Sequence, residues 1–115
     1  MRIKSWIWVT AHLRRCQAEN VPVVIVRRGD EDAGAIFISV NRLDGTVRLY
    51  GPAPTGLEGS ETDRRWVGCF GGKPVSPAEA DHYLARQHAF DPDLWVVEIE
   101  DRAGRHFLGE ASVEE

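Results

Sequence analysis

The amino-acid sequence predicts an α+β fold. It reads as a single small domain whose predominantly antiparallel β-sheet, a meander plus a C-terminal hairpin, carries two helices packed on one face. Three observations lead there. Apolar runs separated by Gly- and Asp-rich turns fill residues 21–51, two segments near residues 5–20 and 77–89 carry helix signals, and WVVEIE followed by DRAG and RHFL reads as a hairpin. With 115 residues and 43% hydrophobic content the chain suffices for one core, so residues 1–108 are expected as one domain and 109–115 as a flexible acidic tail.

In the first helix Trp6, Val9, Leu13 and Cys16 recur at steps of three and four, which places them on one core-facing stripe, with Ser5 as the N-cap. Trp8 lies off that stripe. Pro22 ends the helix because it cannot continue the hydrogen-bond ladder, and PVVIVRRG, apolar on both faces, is expected as an interior strand covered on both sides. After the turn-forming GDEDAG, AIFISVN sets Ile36, Ile38 and Val40 against Ala35, Phe37 and Ser39. NRLDGT holds Asp44-Gly45, a hairpin signal, and TVRLYG sets Val47 and Leu49 opposite Arg48 and Tyr50. These three strands are expected in consecutive antiparallel order.

The Gly- and Pro-rich stretch Gly51–Asp63 is a loop, with Thr55–Ser60 expected to be its most mobile part. RRWVGCF reads as a short strand weakened by Gly68. Ser76-Pro77-Ala78-Glu79 is a complete helix start, with Ser at the cap, Pro at the first helical position and Glu placed to bond back to the cap amide. Further on, Trp95, Val97 and Ile99 alternate with Val96, Glu98 and Glu100, and Gly104 supplies the left-handed residue of the DRAG turn.

Composition excludes several functions. Residues 1–50 hold eight Lys or Arg against five Asp or Glu, and residues 51–115 hold six against thirteen. At a sequence pI of 5.5 no concentrated basic face announces nucleic acid. Cys16 and Cys69 lie far apart in sequence, so a reducing, cytoplasmic setting is expected, with no disulfide framework and no metal. The apolar start of MRIKSWIWVTAHLRRC is broken by Thr10 and His12 and lacks a cleavage site, and no segment is apolar for long enough to span a bilayer.

The chemical motifs are few. There is no G-x-S-x-G elbow, Cys69 has no identifiable base, Gly71-Gly72-Lys73 lacks the remainder of a phosphate loop, and His82 and His88 fall on different sides of one helix. Two polar groups remain. Arg27 and Arg28, with Asp30 and Asp32, could fork around an anion, although a self-satisfied ion-pair turn is the favoured reading, and Asn41, Arg42, Arg48 and Tyr50 could join that surface. Glu98 and His106 belong to the polar face of the C-terminal hairpin, which could be a cleft or simply solvated.

The segments IWVTAHLRRC, VIVRRGDEDAGAIFISVNRLDGTVRLYGPAP and FDPDLWVVEIEDRAGRHFL resemble the small bacterial family catalogued as domain of unknown function 1491. The likeness covers roughly residues 2–108, interrupted between Thr55 and Pro74. It implies no activity, cofactor or catalytic residue. The expected function is therefore a small cytoplasmic, non-enzymatic module that binds a protein partner or a small anionic ligand, without cofactor, nucleic acid or membrane. The alternative is a small enzyme acting on an anionic substrate through the Arg/Asp/Glu surface. Four tryptophans in so short a chain also point to a homodimer anchored by Trp8 and Trp66.

Overall fold

The computed structural model describes residues 3–54 and 64–114, so the expectation for Thr55–Ser60 lies outside the described residues. The first helix, α1 (Ser5–Ala18), forms where periodicity places it, but its inward stripe is Ser5, Val9, His12 and Cys16. Trp6 is 43% exposed. The stripe is rotated because two polar side chains have backbone partners inside: Ser5 Oγ donates to the Gly34 carbonyl at 2.6 Å and His12 Nε2 lies 2.9 Å from the His106 carbonyl. Ser5 is not the cap; Lys4 is, with no side-chain bond. The amides of Ser5 and Trp6 donate instead to the carbonyls of Asp32 and Glu31. The helix ends in a Schellman motif, with Asn20 left-handed and the Val21 and Asn20 amides donating to the Cys16 and Gln17 carbonyls.

The strands are β1 (Val23–Arg27), β2 (Ile36–Asn41), β3 (Val47–Pro52), β4 (Trp66–Gly68), β5 (Trp95–Glu100) and β6 (Val113–Glu114), with α2 (Pro77–Phe90) between β4 and β5. Their spatial order is β1-β5-β2-β3-β4-β6. The sheet is mixed: β5 runs antiparallel to β1 and parallel to β2, and β6 runs parallel to β4. The expected three-strand meander is thus corrected, since β5 separates β1 from β2 and the consecutive antiparallel run is β2-β3-β4. Burial explains the choice. Residues Ile36 to Val40 of β2 are buried without interruption, and four of the six residues of β5 are buried, as befits central strands. β1, expected inside the sheet, is an edge strand with Val24 56% and Val26 59% exposed.

Because β1 and β2 occupy both sides of β5, residues after Gly104 find no free ladder there, and the expected C-terminal hairpin does not form. The chain crosses the sheet face instead. Phe107 and Leu108 pack onto the cluster formed by Val9 and Cys16 of α1 with Ile36, Ile38, Val40, Trp95, Val97 and Ile99. Fully burying an aliphatic side chain of this kind stabilises the fold by about 2 kcal/mol. The opposite face carries Phe37, Leu49, Leu94 and Val96 beneath Tyr83 and Leu84 of α2. The two helices therefore lie on opposite faces, which corrects the expectation of one shared face: the residues alternating with Ile36, Ile38 and Val97 are themselves largely apolar and need their own cover.

Helix α2 begins with the capping box legible in its sequence, the Ser76 hydroxyl accepting from the Glu79 amide at 3.2 Å and the Glu79 carboxylate accepting from the Ser76 amide at 3.4 Å. Beyond Gly109 the acidic segment forms a single 3-10 turn, Glu110–Ser112, before β6.

Candidate functional site

The Arg27–Asp32 segment turns between β1 and β2, and its polar groups are spent on holding that turn. Asp30 accepts from the amides of Asp32 and Ala33 at 3.1 and 2.9 Å, its amide donates to the Asp93 carbonyl, and its carbonyl accepts from Trp95 Nε1 at 2.7 Å. Arg28 pairs with Glu31 at 3.6 Å and lies over the Trp95 ring, Asp32 pairs with Lys4 at 3.6 Å, and Arg27 reaches His88 of α2 at 3.2 Å. Gly29 and Gly34 complete the arrangement. A Cβ on either would stand 2.2 or 2.3 Å from the Asp93 carbonyl oxygen, so the chain can pass there only without a side chain.

Glu98 lies elsewhere, on the sheet face that α2 partly covers, next to Val24. Burial, followed by the like charges of Glu100 and Asp81, raises its pKa above the ordinary glutamate value, and a bond to Asn41 opposes this. Arg42 is at the β2–β3 turn against Gly104, its Nε buried without a hydrogen-bond partner among the described residues. The expected group of Arg27, Arg28, Asp30 and Asp32 with Glu98 or His106 is therefore not brought together.

Three predicted residues, Arg48, Tyr50 and His106, do meet. On the α1 face, the β3 residues Arg48 and Tyr50, the crossing residues Arg105, His106 and Phe107, and Glu110 line a pocket of about 480 Å³. The His106 ring stands edge-on to Tyr50 with centroids 5.0 Å apart, and the Arg48 guanidinium lies 5.6 Å from the Tyr50 ring. Arg48 donates through Nε and Nη2 to the Gly72 carbonyl at 3.1 and 2.7 Å. That carbonyl is aimed at it by the consecutive left-handed residues Phe70, Gly71 and Gly72. Arg105 is held by the Asp101 carboxylate, which accepts from its amide, Nε and Nη2.

The protonation of His106 follows from its contacts. Its Nδ1 accepts from the Leu108 amide at 2.9 Å, so the proton of the neutral ring sits on Nε2, which lies 3.3 Å from the Glu110 carboxylate. Burial pushes its pKa below the ordinary histidine value; Glu110 opposes this and Arg48 adds to it. A neutral imidazole whose Nδ1 lone pair is taken and whose Nε2 is protonated is a hydrogen-bond donor and has no free pair for general-base work. Behind it, His12 carries the His106 carbonyl and stacks on Trp8 at 4.9 Å.

Nucleophiles are likewise quiet. Burial pushes the Cys16 thiol up to about 11, and burial raises Cys69 as well, the Tyr83 hydroxyl opposing. Among the described residues no group of three or more His, Cys, Asp or Glu is placed to hold a metal, and no helix is long and apolar enough to cross a membrane. Trp66, expected as an interface anchor, is 2% exposed in the core, and Trp8 packs on it at 5.0 Å, so neither offers a partner much surface. Sequence reading missed Glu110, because the segment after Gly109 carries no periodic signal, and it missed the buried role of His12, because a histidine on an apolar stripe looks like an interruption.

Comparison with known proteins agrees with this fold. The family described as protein of unknown function, DUF1491, matches residues 3–109. A crystal structure of a DUF1491 family protein from Caulobacter crescentus is 39% identical over the whole of both chains, with a TM-score of 0.81. An NMR structure of a DUF1491 family protein from the same organism covers 100% of this chain and 99% of that one at 39% identity and a TM-score of 0.80. The solution structure of a protein from A. tumefaciens is 38% identical over 94% of this chain and 93% of that one, with a TM-score of 0.80. No curated protein matches the chain. With a family match spanning nearly its whole length and full-length relatives well above 30% identity, the chain belongs to the DUF1491 family.

Proposed function

We propose that the protein is a cytoplasmic, non-enzymatic module that binds a small anionic ligand in the pocket between Arg48, Tyr50 and His106. The observation that carries this reading is the locked His106 ring, whose Nε2–H faces the Glu110 carboxylate in a pocket that Arg48 also lines. A volume of about 480 Å³ is within the range of small-molecule sites, and an aromatic wall with a few convergent donors is their usual composition. Nε and Nη2 of Arg48 serve Gly72, and among the described residues its Nη1 has no hydrogen-bond partner and is kept for a ligand. The Glu110 carboxylate, 96% exposed and set against Nε2, stands where the acid group of a ligand would bind. Two buried, free cysteines support a reducing compartment.

Nitrogen-detected NMR of the His106 ring tests the reading, with inorganic phosphate, succinate and adenosine monophosphate as probes. The expected result is a saturable shift of the Nε2 resonance with at least one probe, about tenfold weaker in Arg48→Met and a few-fold tighter in Glu110→Gln, which removes the competing carboxylate. Absence of a saturable shift with all three, or binding unchanged in both variants, overturns it.

A further inference from the structure

The sheet has two edges of very different character. One is β6, two residues long. The other is β1, five residues long, with Val24 and Val26 as its outward valines and without Lys or Pro inside it. Short strands, lysines and prolines are usual protections of an exposed edge, and β1 has none of these; its one edge device is a register irregularity between Ile25 and Arg27, near the end of the strand.

The hydrogen-bond phase of this edge follows from one bond. The Glu100 amide donates to the Pro22 carbonyl at 3.0 Å, so Pro22 and Glu100 are a bonded pair of the β1–β5 ladder. In an antiparallel ladder such pairs alternate, which makes Val24 with Glu98 the next bonded pair. Val23 and Ile25 are then the residues whose amide and carbonyl point away from the sheet. They are the groups that another strand would pair.

We infer that β1 is the interface of a homodimer, in which a second copy adds its own β1 antiparallel across a two-fold axis at Ile25 to make one continuous twelve-stranded sheet. The occupant follows from self-complementarity. Val24 and Val26 flank Ile25, Val26 at a register irregularity between Ile25 and Arg27, and the axis sets the exposed Val24 of one copy against the exposed Val26 of the other and covers both. Charge agrees with the antiparallel sense. Arg27, at one end of β1, meets a ring nitrogen of His88 and, among the described residues, no carboxylate. Toward the other end Glu98 is beside Val24 with Glu100 and Asp81 for neighbours and, among the described residues, forms no ion pair. The two-fold axis brings Arg27 of each copy toward Glu98 of the other. Phe90, 88% exposed two residues beyond His88, adds apolar surface near the same end of the strand. This interface is on the edge remote from the Arg48–His106 pocket and does not depend on it.

Light scattering and hydrogen exchange of the full chain over concentrations of about 5 to 500 µM decide the matter. The expected mass rises from monomer to dimer with concentration, and the Val23 and Ile25 amides exchange at least tenfold more slowly at the upper end. Val26→Lys, a charge on an already exposed position, is expected to remain monomeric with unchanged circular dichroism, and Arg27→Glu to weaken dimerisation about tenfold at low salt. A monomer across the whole range overturns the inference. So does a dimer whose Val23 and Ile25 amides exchange at the same rate throughout, since its contact is elsewhere, or one that Val26→Lys leaves equally tight. The exchange measurement needs no substitution, so it decides the question even if a variant fails to fold.

Discussion

Replacing His12 by Gln should abolish most of the acid sensitivity of this fold between pH 6.5 and pH 4. The ring is fully buried, stacked on Trp8, with Nε2 on the His106 carbonyl and Nδ1 buried without a partner among the described residues. Burial lowers its pKa from 6.5 to about 4, the carbonyl bond opposing and Arg15 adding to the fall. The unfolded chain therefore takes up a proton below pH 6.5 that the folded protein refuses. The stability tied to the neutral ring is complete above 6.5 and is lost as pH falls toward 4. Each pKa unit corresponds to about 1.4 kcal/mol, so roughly 2.5 kcal/mol is lost by about pH 4.5. Urea titrations at about pH 7.5 and 4.5 measure it, because His12→Gln keeps an amide donor for the His106 carbonyl but binds no proton. The parent should lose about 2.5 kcal/mol more than the variant over that interval. Other acid-sensitive groups, His106 and Asp101 among them, titrate in both proteins and cancel in the difference. If parent and variant lose the same stability to within about 0.5 kcal/mol, the buried ring is not refusing its proton and the argument fails.

Gly34→Ala places a Cβ 2.3 Å from the Asp93 carbonyl oxygen, so thermal unfolding should show a loss of about 2 kcal/mol, or about 8 °C in Tm. Gly45→Ala, with nothing within 4 Å of its Cβ, should cost only about 1 kcal/mol of left-handed strain. Asp101→Ala leaves the Arg105 amide and guanidinium without their acceptor, and denaturant melts should show a loss of about 1 to 2 kcal/mol at neutral pH. The Arg105 bond holds the Asp101 pKa below its ordinary 3.8, against burial, so that contribution is present above this value and disappears in the parent as pH falls through the lowered one. Ser76→Ala removes the hydroxyl half of the capping box and should cost about 1 kcal/mol, read from the same melts.

The parts of the fold that were legible in the sequence are those decided by neighbours in the chain. The Ser76–Glu79 cap, the Asp44-Gly45 turn and the alternation of β2 depend on a few adjacent residues, and each formed as its pattern implies. Strand order is decided by distant residues. PVVIVRR and WVVEIE are both apolar runs, and nothing local says which becomes the centre of the sheet. The difference is in what surrounds them: β5 has a helix-bearing face on each side, while β1 ends beside solvent-exposed Arg27 and Arg28. The helix stripe was misread for a related reason, since Ser5 and His12 become acceptable inside only through carbonyls supplied by Gly34 and His106, far along the chain.

The same dependence governs the pocket. Tyr50 and His106 were recognisable as polar groups among apolar ones, but a hairpin would have laid His106 alongside β5, away from β3. They meet because β1 and β2 have already taken both edges of β5, which leaves the chain after Gly104 no strand to pair with. It must then satisfy its backbone by other means, and it does so through the His106 carbonyl on His12, the Phe107 carbonyl on Arg15 at 2.8 Å and the Leu108 amide on the His106 ring. The last of these bonds fixes the His106 tautomer. The donor that faces the pocket is thus a consequence of strand order: placing β5 between β1 and β2 denies the following residues a ladder, and their search for partners orients the one imidazole that lines the cavity among the described residues.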